Sequence, residues 1–242
     1  MDTMSEDKVI KTIGILGGMG PEATADLFQH IIRLTPAKVD SDHIPIIIYN
    51  QPGIPDRTAY ILDQGTSPVF QLVEGARKLE EWGADFIIIA CNTAHYFIQD
   101  IVHKVNIPVL DMIRETARYA RQWYPEYKFG LLSTLGTYKA RLYTRTFADE
   151  GMTLIIPDTF YQEQIMDCIY GKNGLKAGQY NEPKKHIREA IKHVQQSGAN
   201  GLVAGCTELS LVLPKMDLAM PLLNPTEIIA RRAVQLAGKN ID

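Results

Sequence analysis

An α/β protein of two pseudo-symmetric, doubly wound parallel-sheet domains facing each other across a cleft is the fold that the sequence predicts. Short runs that are apolar throughout alternate with amphipathic helical stretches, the pattern of a parallel sheet covered by helices on both sides. The pattern occurs twice. KFGLLSTLGT from Lys128 resembles KTIGILGGMG from Lys11, and Gly130 lies 116 positions after Gly14. GADFIIIACNT and GANGLVAGCT match more closely, because Gly83 to Cys91 and Gly198 to Cys206 are each eight steps and the cysteines are 115 apart. Self-similarity at a fixed period marks a repeated structural unit.

Taken in order, KTIGILGG reads as the first strand, and the glycines after it with Pro21 suit a tight strand-to-helix turn that puts proline in the first helical turn. A helix is expected from about Pro21 to Thr35, a strand at IPIIIYN, a second helix from about Pro68 to Trp82, and a strand at ADFIIIACN. Another helix is expected from about Ala94 to Val105, followed by the apolar run IPVLD at Ile107 to Asp111. In the second half KFGLLSTLGT, GANGLVAGCT and MPLLN (Met220 to Asn224) take the corresponding places. The domains are read as 1–115 and 116–224, with a C-terminal helix over 225–242 crossing back to pack on the first.

Composition narrows the function. The 242 residues are 45% hydrophobic and 22% charged, the balance of an ordinary globular protein. A net charge of -3, from 25 basic and 28 acidic side chains spread along the chain, provides no basic field for nucleic acid or an anionic membrane. The start MDTMSEDKVIK lacks the basic and apolar regions of a signal peptide, and no run of about 18 apolar residues is present, so a cytoplasmic protein with a small-molecule partner is expected. Three cysteines cannot all pair with one another, and a reducing compartment keeps them as thiols.

In an open parallel sheet, ligands bind beyond the carboxyl ends of the strands, where Cys91 and Cys206 both fall. If the halves face each other about a pseudo-twofold axis, the two thiols enter one cleft from opposite sides. That suits inversion of a stereocentre beside a carbonyl, which needs a base on one face and an acid on the other. A cysteine at a helix N-terminus also gains thiolate stability from the helix dipole. Asn92, Thr93 and Thr207 are candidates both for helix N-caps and for substrate contacts. A lone cysteine in an apolar run packs as a small hydrophobe; that reading suits Cys168, which has no counterpart in the repeat. His95, four residues after Cys91, suggests a zinc pair or a Cys-His dyad but has no third ligand at metal spacing, and reads instead as a helix-surface histidine.

IGILGGMGPEAT from Ile13, PDRTAYIL from Pro55, CNTAH from Cys91, GLLSTLGT from Gly130, LKAG from Leu175 and GCTE from Gly205 occur in an order that resembles the aspartate/glutamate racemase family. The likeness is greatest to its archaeal-type aspartate racemases and runs nearly the whole length. It implies a substrate cleft between two domains, an acidic amino acid as substrate, no pyridoxal phosphate or other cofactor, and a homodimer. By motif, Arg57 and Lys176 look like the cations that bind the substrate carboxylates, a role to which a guanidinium fork and an ammonium point charge are suited. Arg57 lies in the polar loop PGIPDRT, so its loss is expected to leave the fold intact. Asn92, Thr93 and Thr207 resemble the groups that hold the α-amino and α-carboxylate ends, Thr134 adds a donor, and Met19 and Gly20 line the opposing loop. The cell-wall glutamate racemases carry Asp-Ser after the first strand and a histidine two residues after the second cysteine. Gly17-Gly18 and Glu208 stand there in this chain, so the partners that assist the thiols in that branch are expected to be absent and aspartate to be the substrate.

The expectation is therefore a cofactor-independent racemase using Cys91 and Cys206 as its two acid/base groups. A broad-specificity racemase and a maleate cis-trans isomerase are the neighbouring alternatives, and a two-lobed acidic amino acid binding protein is the non-catalytic one. Gly18-Met-Gly20-Pro-Glu-Ala23 also fits a dinucleotide fingerprint, with Asp40 and Asp42 about 20 residues on. Pro21 argues against it, since proline removes an amide where pyrophosphate would be cradled.

Overall fold

The computed structural model describes residues 10–241; residues 1–9, which make up most of the MDTMSEDKVIK stretch, and Asp242 lie outside the described residues. The first half runs β1 (Ile13–Gly17), α1 (Pro21–Leu34), β2 (Ile46–Asn50), α2 (Arg57–Ile61), α3 (Val69–Glu81), β3 (Phe86–Ile89), α4 (Ile98–Val102) and α5 (Met112–Trp123). The second half comprises β4 (Phe129–Ser133), α6 (Leu135–Lys139), α7 (Leu142–Asp149), β5 (Leu154–Ile155), α8 (Thr159–Tyr170), α9 (Pro183–Gln196), β6 (Gly201–Gly205), α10 (Thr207–Val212) and β7 (Leu222–Leu223). The chain ends in α11 (Pro225–Leu236).

The apolar runs form two parallel sheets, ordered β2-β1-β3 and β5-β4-β6-β7. Their registers repeat as the sequence does: Ile13 lies opposite Phe86 in the first sheet, and Phe129 opposite Gly201 in the second. Beyond β3 a single parallel bridge, Ile87 with Val109, stands where β7 pairs with β6. The run IPVLD thus makes only a bridge, and MPLLN a two-residue strand. Gly83 and Gly198, with φ of 93° and 98°, end the helices that lead into β3 and β6. Glycine accepts this left-handed conformation without a Cβ clash, which explains its place in both copies of the repeat.

The expected helix over residues 94–105 is instead a 3-10 turn, Thr93–Phe97, followed by α4. The cause is local. The His95 amide donates to Asn92 O, three residues back, while the Cys91 carbonyl is occupied by the His95 ring at 2.8 Å. An α-helical bond between those two backbone groups is therefore not made.

α11 lies against α1 and α5, and its Ile229, Ala230, Ala233 and Val234 join Ile13, Ile15, Phe86 and Ile88 in one buried cluster. No described helix is long and apolar enough to cross a membrane.

Candidate active site

The carboxyl ends of β1, β3, β4 and β6 supply the site. After β1 the chain turns through Gly18 to Gly20, and the first turn of α1 fixes that loop: Thr24 Oγ1 accepts from Gly18 N at 2.9 Å and donates to Gly20 O at 3.0 Å. The Met19 carbonyl is thereby offered to both predicted cations, accepting from Arg57 Nη2 at 3.2 Å and from Lys176 Nζ at 3.4 Å.

Arg57 opens α2, and the Asp56 side chain caps that helix by accepting from Ala59 N at 2.7 Å. Its surroundings bear on the expectation that Arg57 is dispensable to the fold. It is only 6% exposed and also donates through Nη1 to Ile54 O and Pro55 O, each at 3.1 Å. Those contacts leave its Nε buried with no hydrogen-bond partner. Burial works against the guanidinium charge, but the Cys91 sulfur beside it, then Tyr170 and Asp56, hold its pKa above the ordinary value.

Cys91 follows β3 and is buried. Its carbonyl is held by His95 Nδ1, and His95 Nε2 accepts from Met112 N at 3.1 Å, which assigns the proton to Nδ1. His95 is not on the surface: it is 4% exposed, with both ring nitrogens engaged in fastening the Cys91 turn to the start of α5. No group of side chains able to hold a metal ion occurs among the described residues. Asn92 Oδ1 accepts from the Tyr143 hydroxyl of the second half, and Asn92 Nδ2 is buried without a partner. Burial pushes the Tyr143 pKa far up, so its hydroxyl remains a donor. Thr93 Oγ1 meets Thr134 Oγ1 at 3.1 Å and Thr137 Oγ1 at 3.0 Å, and Thr58 Oγ1 donates to Thr134 at 3.3 Å. This hydroxyl cluster joins the two halves. Thr134 does cap α6, accepting from Thr137 N at 3.3 Å, but Asn92 makes no side-chain cap bond, and Thr207 is the first residue of α10, whose N-cap is Cys206.

Cys206 occupies the position before α10 and donates its thiol hydrogen to Glu208 Oε2 at 2.9 Å. Thr207 Oγ1 donates to the same oxygen at 3.3 Å, and Glu208 Oε1 pairs with Lys176. The expected thiolate stabilisation by a helix N-terminus is reversed here. Burial, then the Glu208 carboxylate, push the Cys206 thiol well above its ordinary pKa, and Lys176 only partly opposes them. Glu208, standing where the glutamate racemase branch has its histidine, is therefore an acidic partner to the Cys206 thiol. For Lys176, burial disfavours the charge, but Glu208 first and then Cys206 and Cys91 hold the proton on. Lys176, bonded to Glu208 of the second half and to Met19 O beside Arg57 of the first, brings predicted residues of the two halves together. Cys168 is elsewhere, packed with Ile165, Ile169 and Leu175 in the core of the second half, its thiol 3.6 Å from Pro183 O.

Glu208, Thr58, Thr137, Tyr143 and Tyr170 were not identified as site residues in the sequence. GCTE did signal Glu208, two residues after the cysteine at a helix start; the others become neighbours only when the halves meet, as when Tyr170 donates to Asp56 Oδ2 at 2.9 Å. Chemically, the arrangement offers two sulfurs for proton transfer, two cations with free donors for anionic groups, and one carboxylate.

The Asp/Glu/hydantoin racemase family matches residues 16–233. Among solved structures, the aspartate racemase of Picrophilus torridus superposes with a TM-score of 0.85 at 30% identity, covering 96% of each chain. An aspartate racemase homologue from Pyrococcus horikoshii gives 0.75 at 26% identity, covering 95% of this chain and 100% of that one. The broad-specificity amino-acid racemase of Bacillus subtilis is 27% identical over 240 residues, 92% of this chain and 96% of the relative.

Proposed function

Because the chain belongs to the Asp/Glu/hydantoin racemase family and is an amino-acid racemase, we propose that it interconverts L- and D-aspartate, with Cys91 and Cys206 as the two proton-transfer groups and no pyridoxal phosphate. The observation that carries this reading is the chain of contacts around Met19 O, which accepts from both Arg57 and Lys176, while Lys176 pairs with the Glu208 carboxylate that accepts from the Cys206 thiol. One sulfur, as thiolate, takes the hydrogen from Cα and becomes a thiol; the other thiol gives its hydrogen to the opposite face and becomes the thiolate. Burial and the Glu208 carboxylate keep Cys206 a thiol, suited to the acid role. One direction then uses Cys91 as base and Cys206 as acid, and the reverse exchanges the roles. Arg57, through its unpaired Nε, and Asn92, through Nδ2, are the donors suited to a carboxylate, and Lys176 to a second.

The test is proton NMR of L- and D-aspartate in heavy water, with glutamate alongside because the Bacillus subtilis relative is named for broad specificity. The wild type is expected to exchange the α-proton and racemise. Cys91→Ala and Cys206→Ala are each expected to lose racemisation while washing the α-proton from one enantiomer only, and from opposite ones. Full racemisation by either variant would overturn the two-thiol mechanism. The proposal extends to a homodimer, to be checked by sedimentation, and to the cytoplasm, where catalytic thiols stay reduced.

A further inference from the structure

We propose that Glu208 is the seat of the substrate's α-ammonium group and makes the site select amino diacids over dicarboxylates that lack an amine. The inference rests on the racemase reading above. An ammonium group needs acceptors, and the residues first associated with the amino end do not supply them. Asn92 has one side-chain acceptor, Oδ1, already taken by Tyr143, and its remaining Nδ2 is a donor. Thr93 is bound into the threonine cluster, and the Thr207 hydroxyl points at Glu208. Glu208 is the anionic acceptor among them, and it is 4% exposed.

Its position fits the chemistry. Oε2 lies 2.9 Å from Cys206 Sγ. That sulfur must approach Cα to about 3 to 3.5 Å for proton transfer, so a group bonded to Cα on that side falls within hydrogen-bond reach of the carboxylate. A carboxylate substituent would be repelled there, whereas an ammonium is attracted. Across from Glu208 is Gly20, where an added Cβ would meet only Glu208 Oε1 within 4 Å, at 3.6 Å. The absent side chain leaves a small group room beside the carboxylate.

The charges also correspond one to one. Arg57, Lys176 and Glu208 present two cations and an anion; aspartate presents two anions and a cation. Lys176 pairs with Glu208, and with three N–H donors, of which Glu208 and Met19 O take two, it retains one for a substrate carboxylate. An amine-free dicarboxylate would engage both cations and bring no positive group to the buried Glu208 carboxylate.

Equilibrium calorimetry with L-aspartate and succinate tests this on the wild type and Glu208→Gln. The wild type is expected to prefer aspartate by at least about tenfold, the scale of one charge-assisted hydrogen bond. In Glu208→Gln aspartate affinity should fall roughly ten- to a hundredfold while succinate affinity is kept or improved, so the preference collapses. Parallel losses of both ligands would assign Glu208 a merely structural role and overturn the proposal, as would an unchanged preference. A wild type that binds succinate as tightly as aspartate overturns it without any variant. If the wild type exchanges the aspartate α-proton yet the preference does not move, the Glu208 inference alone fails; if it neither exchanges nor binds aspartate, the racemase reading fails with it.

Discussion

Arg57 shows how one side chain serves both the site and the fold. Three backbone carbonyls hold it, those of Met19, Ile54 and Pro55, so its remaining donors are aimed before any ligand arrives. Arg57→Ala is expected to lower kcat/KM for aspartate by about 10- to 100-fold, the cost of a lost charge-assisted carboxylate contact of roughly 1.5 to 3 kcal/mol. It should also destabilise the protein by about 1 to 3 kcal/mol in urea unfolding, because the Ile54 and Pro55 carbonyls lose the guanidinium and Met19 O keeps only Lys176. A variant with reduced turnover but wild-type stability would contradict the structural half of that expectation. The cysteines, Arg57 and Lys176 were legible in the sequence because spacing and local motif carry them. Glu208's bond to a thiol and the burial of His95 were not, because both depend on which loops meet in space.

At the level of elements, α2 and α6 make a close seam between the two halves. A Cβ placed on Gly136 would lie 2.9 Å from Thr58 Cα and 3.0 Å from Thr58 Oγ1, closer than real side chains pack. Gly136→Ala is therefore expected to push α6 away from α2 and to disturb the Thr58–Thr134 contact, at an overpacking cost of about 1 to 3 kcal/mol. The check is a lowered urea midpoint together with reduced racemisation; a variant equal to the wild type in both would show that the seam yields freely. The central strands were readable from sequence because they are buried throughout, as in β1, β4 and β6. The helix expected after Cys91 was not, since apolar spacing does not reveal a histidine ring occupying a backbone carbonyl.

Across the whole molecule, burial of thiols makes stability depend on pH. Burial, and secondarily Asp167, raise Cys168 from 9.0 to about 11, and Cys206 is shifted in the same direction. A thiol whose folded pKa is raised keeps its proton while the unfolded chain loses it, so the folded state binds more protons in that interval. Stability is thus expected to decline from about pH 9 until the folded thiol itself ionises near pH 11. Cys168→Ala should make this decline shallower without altering racemisation; an unchanged slope of unfolding free energy against pH would remove Cys168 as a contributor. The duplicated architecture was plain in the sequence through its 115-residue period, and the register of the sheets repeats it. What links the halves, including Tyr143 to Asn92 and Tyr170 to Asp56, involves residues distant in the chain and had no local signal.

The unlike surroundings of the two sulfurs, a guanidinium by Cys91 and a carboxylate by Cys206, carry a thermodynamic consequence for a catalyst of this class. Mirror-image amino acids have equal free energies in water, so the equilibrium constant between them is unity. The ratio of the forward and reverse specificity constants must equal that constant, however lopsided the catalyst. The asymmetry is therefore barred from making kcat/KM differ between the enantiomers. It is confined to matched changes in kcat and KM, so that the hand bound more tightly is also the one turned over more slowly at saturation.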